Sequence, residues 1–124
     1  MSLGERAADY RGYASWHRAW ADLEESGAEA RLLGRSVQGR PIFGFEWGDR
    51  SAGEISVLLS GVHAMEWIGL EVGHSVVRGL RERFPNRRTL YIPLLNPDGF
   101  RRAEMDLVEG RRRFVRANAH GVDL

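Results

Sequence analysis

Two short, nearly unbroken apolar runs, Ile55-Ser56-Val57-Leu58-Leu59-Ser60-Gly61 and Thr89-Leu90-Tyr91-Ile92-Pro93-Leu94-Leu95, flank a segment of helical period. This arrangement constrains the fold more than any other feature. Such runs read as strands buried on both faces, as in a parallel sheet. Between them, from about Glu66 to Arg83, Ile68, Val72, Val76, Leu80 and Phe84 recur on one apolar stripe. Gly69, Gly73 and Gly79 are each ~1 kcal/mol less favourable than alanine inside a helix. Close packing of helix on sheet is the expected reason for all three. Pro85-Asn86 ends the segment. Strand, helix, strand is a βαβ unit, for which a right-handed crossover between parallel strands is expected.

The upstream residues add a helix and a hairpin. From Tyr13 to Ser26, Trp16, Trp20, Leu23 and Gly27 fall at spacings of three to four. Ser15 or Asp9 is the expected cap, and Gly27 the expected stop. Arg31-Leu32-Leu33-Gly34-Arg35-Ser36 and Arg40-Pro41-Ile42-Phe43-Gly44-Phe45-Glu46-Trp47 surround a glycine-containing turn and predict a β-hairpin. Pro41 belongs near the start of the second strand or on an edge. Residues 48–53 read as a loop and Asn96-Pro97-Asp98-Gly99 as a turn. From Phe100 to Leu124 the chain is arginine-rich and shows no period. The expected class is α/β: a mixed β-sheet flanked by helices, built from a hairpin plus a βαβ unit.

Charge and composition exclude several functions. Eighteen basic residues, all arginine, stand against 17 acidic ones, for a net charge of +1. That balance argues against a nucleic-acid partner. Arg111-Arg112-Arg113 is a cluster that could meet an acidic partner or nucleic acid, and a solvated charge run is the expected reading. No stretch approaches the ~20 apolar residues that cross a bilayer, so no membrane partner is expected. Met1-Ser2-Leu3-Gly4-Glu5-Arg6 has no signal-peptide core, which makes a cytoplasmic location the default and leaves secretion of a parent protein open. With no cysteine, a metal here has only His, Asp or Glu to hold it.

His63 and Glu66 directly follow the run 55–61. Ligand sites in α/β sheets gather outside the carboxyl ends of strands. An imidazole and a carboxylate three residues apart, where strand gives way to helix, can converge on one ion, and both suit zinc. Spacing alone is weak, because this composition yields about 0.4 His-x-x-Glu pairs by chance. The alternative is a histidine hydrogen-bonded to a helix-start glutamate. His17, His74 and His120 read as packing or surface residues, and Asp98 as a structural turn residue.

The longer string Ser60-Gly61-Val62-His63-Ala64-Met65-Glu66-Trp67-Ile68-Gly69 strongly resembles the metal-binding signature of the zinc carboxypeptidase family. Three further segments resemble that family in the same order. They are Ser36-Val37-Gln38-Gly39-Arg40-Pro41-Ile42, Asn96-Pro97-Asp98-Gly99, and Arg113-Phe114-Val115-Arg116-Ala117-Asn118 followed by Gly121-Val122-Asp123-Leu124. The resemblance extends from about Tyr10 to Leu124. It implies that His63 and Glu66 are two of three zinc ligands. It implies that Arg116 stabilises the oxyanion of the scissile carbonyl, a task suited to a permanently charged fork of donors. Asn118 matches a motif position and is carried over as substrate-binding. The implied function is zinc-dependent removal of C-terminal residues from peptide substrates.

The same resemblance implies parts that residues 1–124 do not contain: a third ligand histidine, a substrate-capping tyrosine, a general-base glutamate and an Asn-Arg pair that grips the terminal carboxylate. Residues 1–124 are therefore expected to form a single, truncated domain with little activity alone. An uncovered sheet edge is expected, and self-association through it. Two alternatives stand beside this reading: a related zinc amidohydrolase or deacylase, and a non-catalytic binding domain that keeps the fold.

Overall fold

The structure is a computed structural model that describes residues 10–124. Asp9, singled out above as a cap candidate, and Met1–Arg6, read above as lacking a signal-peptide core, lie outside the described residues. Helix α1 spans Tyr13–Glu25, followed by strands β1 (Glu29–Arg35), β2 (Pro41–Trp47) and β3 (Ser56–Leu59). Helix α2 (Ile68–Arg83), strand β4 (Thr89–Ile92) and helix α3 (Pro97–Val108) complete the order. The four strands form one mixed sheet in the order β1-β2-β4-β3. The hairpin β1–β2 and the pair β2–β4 are antiparallel, whereas β3 and β4 are parallel, with α2 crossing between them. The expected α/β class, hairpin and βαβ unit are all present.

Local chemistry explains the element ends. Ser15 is not the cap of α1. Gly12 takes that position, and the Tyr13 amide donates instead to Glu104 of α3 at 3.1 Å. The helix stops where Gly27 adopts φ +101°, a conformation that favours glycine. Gly27 N then donates to Glu24 O and Ala28 N to Leu23 O, closing a Schellman motif. Pro41 opens β2 as expected. β4 ends at Ile92 rather than Leu95, because Pro93 has no amide to continue the ladder.

The core joins all layers. Trp16, Trp20 and Leu23 of α1, Phe45 and Trp47 of β2, Leu70 and Val77 of α2, Tyr91 of β4, and Phe100 and Ala103 of α3 form one buried cluster. Burying such side chains stabilises the fold by roughly 1.5–3 kcal/mol each.

Three expectations are corrected. First, the stripe Ile68, Val72, Val76 and Phe84 faces outward, with Ile68 57% exposed. The buried side of α2 is Leu70, Gly73, His74 and Val77. The helix is apolar on two sides, and periodicity cannot say which one meets the sheet. Second, β3 is not buried on both faces, since Val57 and Leu59 are 55% and 50% exposed. β3 is an edge strand of this sheet. Third, the chain after Asn96 is not a turn followed by an irregular tail. Asn96 caps α3 by accepting from Gly99 N at 3.0 Å, Pro97 takes the first helical position, and Phe100 and Ala103 point into the core. The buried Asp98 and Asp106 interrupt the apolar stripe of this helix and hide its period.

The glycines of α2 separate by what surrounds them. A Cβ on Gly73 would lie 2.9 Å from Ser60 Oγ and 3.3 Å from Tyr91 Oη, so here the helix does press on the sheet. Gly69 and Gly79 have nothing within 4 Å, so close packing does not explain them. Gly73→Ala is expected to cost ~1–3 kcal/mol by overpacking. Gly69→Ala and Gly79→Ala are each expected to stabilise by ~0.5–1 kcal/mol. Urea unfolding of the three variants checks the contrast, and equal effects at all three positions would refute it.

Candidate functional site

The turn after β3 and the start of α3 are bound together before any functional side chain is considered. Leu95 N and Asn96 N donate to the carbonyls of Ser60 and Gly61 at 3.3 and 2.9 Å. Asn96 Nδ2 donates to the carbonyls of Arg116 and Ala117, and Ala64 N donates to the Arg116 carbonyl at 3.2 Å. Gly99 makes this crossing possible, since a Cβ there would lie 2.8 Å from Ala64 Cβ and 2.9 Å from Ala117 O. Trp67 anchors the other side of the loop. Its ring stacks on Phe100 at 4.6 Å, and its Nε1 donates to the Ala64 carbonyl at 3.1 Å.

Asp98 locks the hairpin to the same region. It accepts from Ser36 Oγ at 2.7 Å, Gln38 N at 3.0 Å and Arg40 at 2.8 Å. Burial pushes its carboxyl upward, but the hydrogen bonds from Ser36, Arg40 and Gln38 outweigh that and hold it below its ordinary value. Two of the sequence motifs, the hairpin turn and Asn96–Gly99, thus meet in one structural network.

His63 and Glu66 face one another at the carboxyl end of β3. His63 Nδ1 lies 3.0 Å from Glu66 Oε2. On the far side of the ring, Nε2 lies 3.0 Å from the Leu124 carbonyl, 3.0 Å from Arg116 Nη2 and 3.6 Å from Asp123 Oδ1. Arg116 reaches Glu66 Oε1 at 3.8 Å and donates through Nε to Asp123 at 3.2 Å. His63, Glu66 and Arg116 therefore come together, from a loop and a segment 53 residues apart in sequence. Asn118 does not join them. Its Oδ1 accepts from His120 N and Val122 N at 2.9 and 3.0 Å, which shapes the turn that carries Asp123 back to Arg116.

Asp123 belongs to this cluster although sequence reasoning gave it no role. The available signal was its place in Gly121-Val122-Asp123-Leu124. Glu66 and Asp123 lie on opposite ring nitrogens of His63, so these three groups do not converge on one point. Accordingly, no group of three His, Asp or Glu side chains able to hold a metal occurs among the described residues.

His74 and His17 stay away from the site. His74 packs edge-on against Trp16 at 5.6 Å, and burial holds it below the ordinary imidazole value, with Arg11 and Arg78 acting in the same direction. His17 is likewise lowered by burial, between Tyr13 and Trp20. A cleft of about 720 Å³ between the C-terminal ends of α1 and α2 includes His74 but neither His63 nor Glu66. Geometry at the strand end, not the size of that cleft, marks the candidate site. No helix of the described residues is long and apolar enough to cross a membrane.

Comparison with known proteins places the chain in a family and a fold. The profile of the zinc carboxypeptidase family matches residues 13–124. The inactive metallocarboxypeptidase ECM14 of Ajellomyces capsulatus is 30% identical over 127 residues, covering 88% of this chain and 21% of that protein. Among solved structures, carboxypeptidase A of Helicoverpa armigera superposes with a TM-score of 0.70 at 19% identity, covering 88% of this chain and 29% of that one. A metallo-carboxypeptidase of Burkholderia cenocepacia superposes with a TM-score of 0.70 at 20% identity, covering 90% and 31%. The chain thus spans about a fifth of the curated relative and under a third of these two solved chains. The match over residues 13–124, together with a carboxypeptidase fold around His63 and Glu66, means that the chain belongs to the zinc carboxypeptidase family.

Proposed function

We propose that these residues supply two zinc ligands and the oxyanion-stabilising arginine of a metallocarboxypeptidase that removes C-terminal residues from peptides. The observation that carries this reading is the meeting of His63, Glu66 and Arg116 within 4 Å at the end of β3. The donor set fits the metal. Zinc bonds of about 2.1 Å at a tetrahedral angle separate two donors by about 3.4 Å, and His63 Nδ1 and Glu66 Oε2 stand 3.0 Å apart. When bound, zinc supplies polarisation of the scissile carbonyl and a water of lowered pKa. With two protein donors among the described residues, its hold is expected to be weak.

The rest follows from this chain's own groups. For Nδ1 to offer its lone pair, the proton of the His63 ring has to sit on Nε2. There it donates to the Leu124 carbonyl at 3.0 Å, with the Asp123 carboxylate 3.6 Å away, beyond hydrogen-bond distance but close enough to act through its charge. Asp123 is thereby a positioning residue that orients the imidazole. A protonated Nε2 can no longer accept from Arg116 Nη2. That end of the guanidinium is then free to turn toward a substrate carbonyl, while Asp123 still holds its Nε. A guanidinium offers several N–H donors in a fixed fork, so Arg116 can stabilise an oxyanion without a proton transfer.

Calorimetric titration of the purified chain with zinc tests the reading. Binding is expected, weakened by more than about tenfold in His63→Ala and in Glu66→Gln. Isotherms unchanged by either substitution would remove the metal role. Hydrolysis of C-terminal peptide substrates by these 124 residues with added zinc is expected to be negligible, and robust turnover would overturn that expectation.

One observation favours a second reading, a non-catalytic domain that keeps the fold: the curated relative is named inactive. Absence of zinc binding by a folded chain would select it. The exposed edge of β3, bearing Val57 and Leu59, also carries the expectation of self-association. Light scattering across a concentration series is expected to show species larger than a monomer. A monodisperse monomer throughout would rule this out.

A further inference from the structure

Beside the candidate site, a second feature has the character of a binding site. A cleft of about 290 Å³ opens between the β1–β2 turn, helix α3 and residues 111–119. Five arginines line it: Arg40, Arg101, Arg102, Arg111 and Arg113. The carboxylates on its walls are already engaged. Asp98 is held by Ser36, Gln38 and Arg40, and Asp106 by Arg111 at 2.8 Å, with side chains only 3% and 4% exposed. The second oxygen of Asp106 is buried with no hydrogen-bond partner, so a solute in the cleft cannot touch it. Glu104 and Glu109 pair with Arg101 and Arg111. Arg102 and Arg113 pair with no carboxylate among the described residues.

Arg102 and Arg113, the two lining arginines outside these ion pairs, repel each other and leave a positive field at its mouth. An anion placed there relieves the repulsion, and a guanidinium fork matches a carboxylate by paired hydrogen bonds. No aromatic side chain lines the cleft, so it lacks the stacking platform that single-stranded nucleic acid uses. Its volume suits a carboxylate side chain with adjoining backbone. Asn118 forms part of its wall, so the cleft is lined in part by the same chain segment that, two residues earlier, carries Arg116.

We infer that the arginine-lined cleft binds an aspartate or glutamate side chain of a peptide, making acidic peptides the substrate class of the neighbouring site. Calling this peptide a substrate rests on the carboxypeptidase reading. The binding itself needs neither zinc nor His63.

The test is fluorescence anisotropy of the full chain, in EDTA, with a labelled oligoglutamate peptide and its glutamine twin. The glutamate peptide is expected to bind at least about tenfold tighter. Arg102→Gln/Arg113→Gln is expected to abolish most of that preference. Arg83→Gln/Arg87→Gln, which removes the same charge elsewhere, is expected to retain it. Equal affinity for the two peptides, or equal loss in both double variants, would overturn the inference. An oligonucleotide or inorganic phosphate that displaces the peptide at lower concentration than free oligoglutamate would overturn the assignment to peptides. Should the glutamine variant fail to fold, Arg102→Lys/Arg113→Lys keeps the charge and removes the forks. It is expected to reduce the preference, and an unchanged preference would overturn the inference. Loss of zinc binding with the glutamate preference intact would remove the peptidase reading alone. Zinc binding without that preference would remove the cleft alone.

Discussion

Trp67→Ala is expected to lower the stability of this chain by ~3–5 kcal/mol. Trp67 is 7% exposed, stacks on Phe100 at 4.6 Å and ties the Ala64 carbonyl through its indole nitrogen. Truncation leaves a cavity between the loop and α3, and it strands a buried carbonyl. The loop that bears His63 and Glu66 loses its inner support at the same time. A loss of this size is a large share of the ~5–15 kcal/mol that holds a typical domain together. Urea denaturation checks the prediction, with a lowered midpoint as the expected result. Trp67→Phe keeps the stacked ring and gives up only the hydrogen bond and some volume, so it is expected to cost less than half as much. A change below about 1 kcal/mol in Trp67→Ala, the average for any point substitution, would show that the stack contributes little.

Asp98→Ala is the second large effect, with an expected cost of ~2–4 kcal/mol. The side chain is 3% exposed and satisfies Ser36 Oγ, Gln38 N and Arg40 at once. Its removal leaves these donors without their acceptor and frees the β1–β2 turn from α3. The range lies below that of a fully buried ion pair because Arg40 is 31% exposed and water can reach it. The charge also sets a pH dependence. The folded carboxyl lies below its ordinary value of 3.8. Its contribution is therefore fully present above that value and is lost as pH falls through the lower, folded one. Asp98→Ala is expected to flatten the acid limb of the stability profile in that window, while Asp98→Asn, which keeps one acceptor oxygen, restores part of the stability but none of the pH dependence. Chemical denaturation between neutral pH and pH 3 measures both effects. An acid limb unchanged in Asp98→Ala would show that other carboxyls govern acid unfolding.

Much of the architecture was legible in the chain. The apolar runs and the segment between them specify β3, α2 and β4, and the glycine turn specifies the hairpin, because strands and helices demand different spacings of apolar residues. Helix α3 was not legible. Its inner face carries Asp98 and Asp106 among Phe100 and Ala103, and a stripe broken by buried carboxylates has no visible period. The orientation of α2 was not legible either, because Ile68-Val72-Val76 and Leu70-Val77 are both apolar and only contact with the sheet distinguishes them. In the site, residue types and order pointed to His63, Glu66 and Arg116. Asp123 was passed over, since an aspartate in a turn carries no local mark of the imidazole it will meet.

Residue order alone determined the kind of fold, the family and the pair, His63 and Glu66, proposed as metal ligands, since each motif depends on neighbours within a few positions along the chain. Tertiary structure decided which side of α2 is buried, that Asp98 is a buried clamp, that Asp123 lies behind the His63 ring, and that scattered arginines from a hairpin turn, a helix and a tail form one cleft. Those outcomes depend on distances between segments far apart in the sequence, such as Ser36 and Asp98, 62 residues apart, and such distances exist only once the chain has closed on itself.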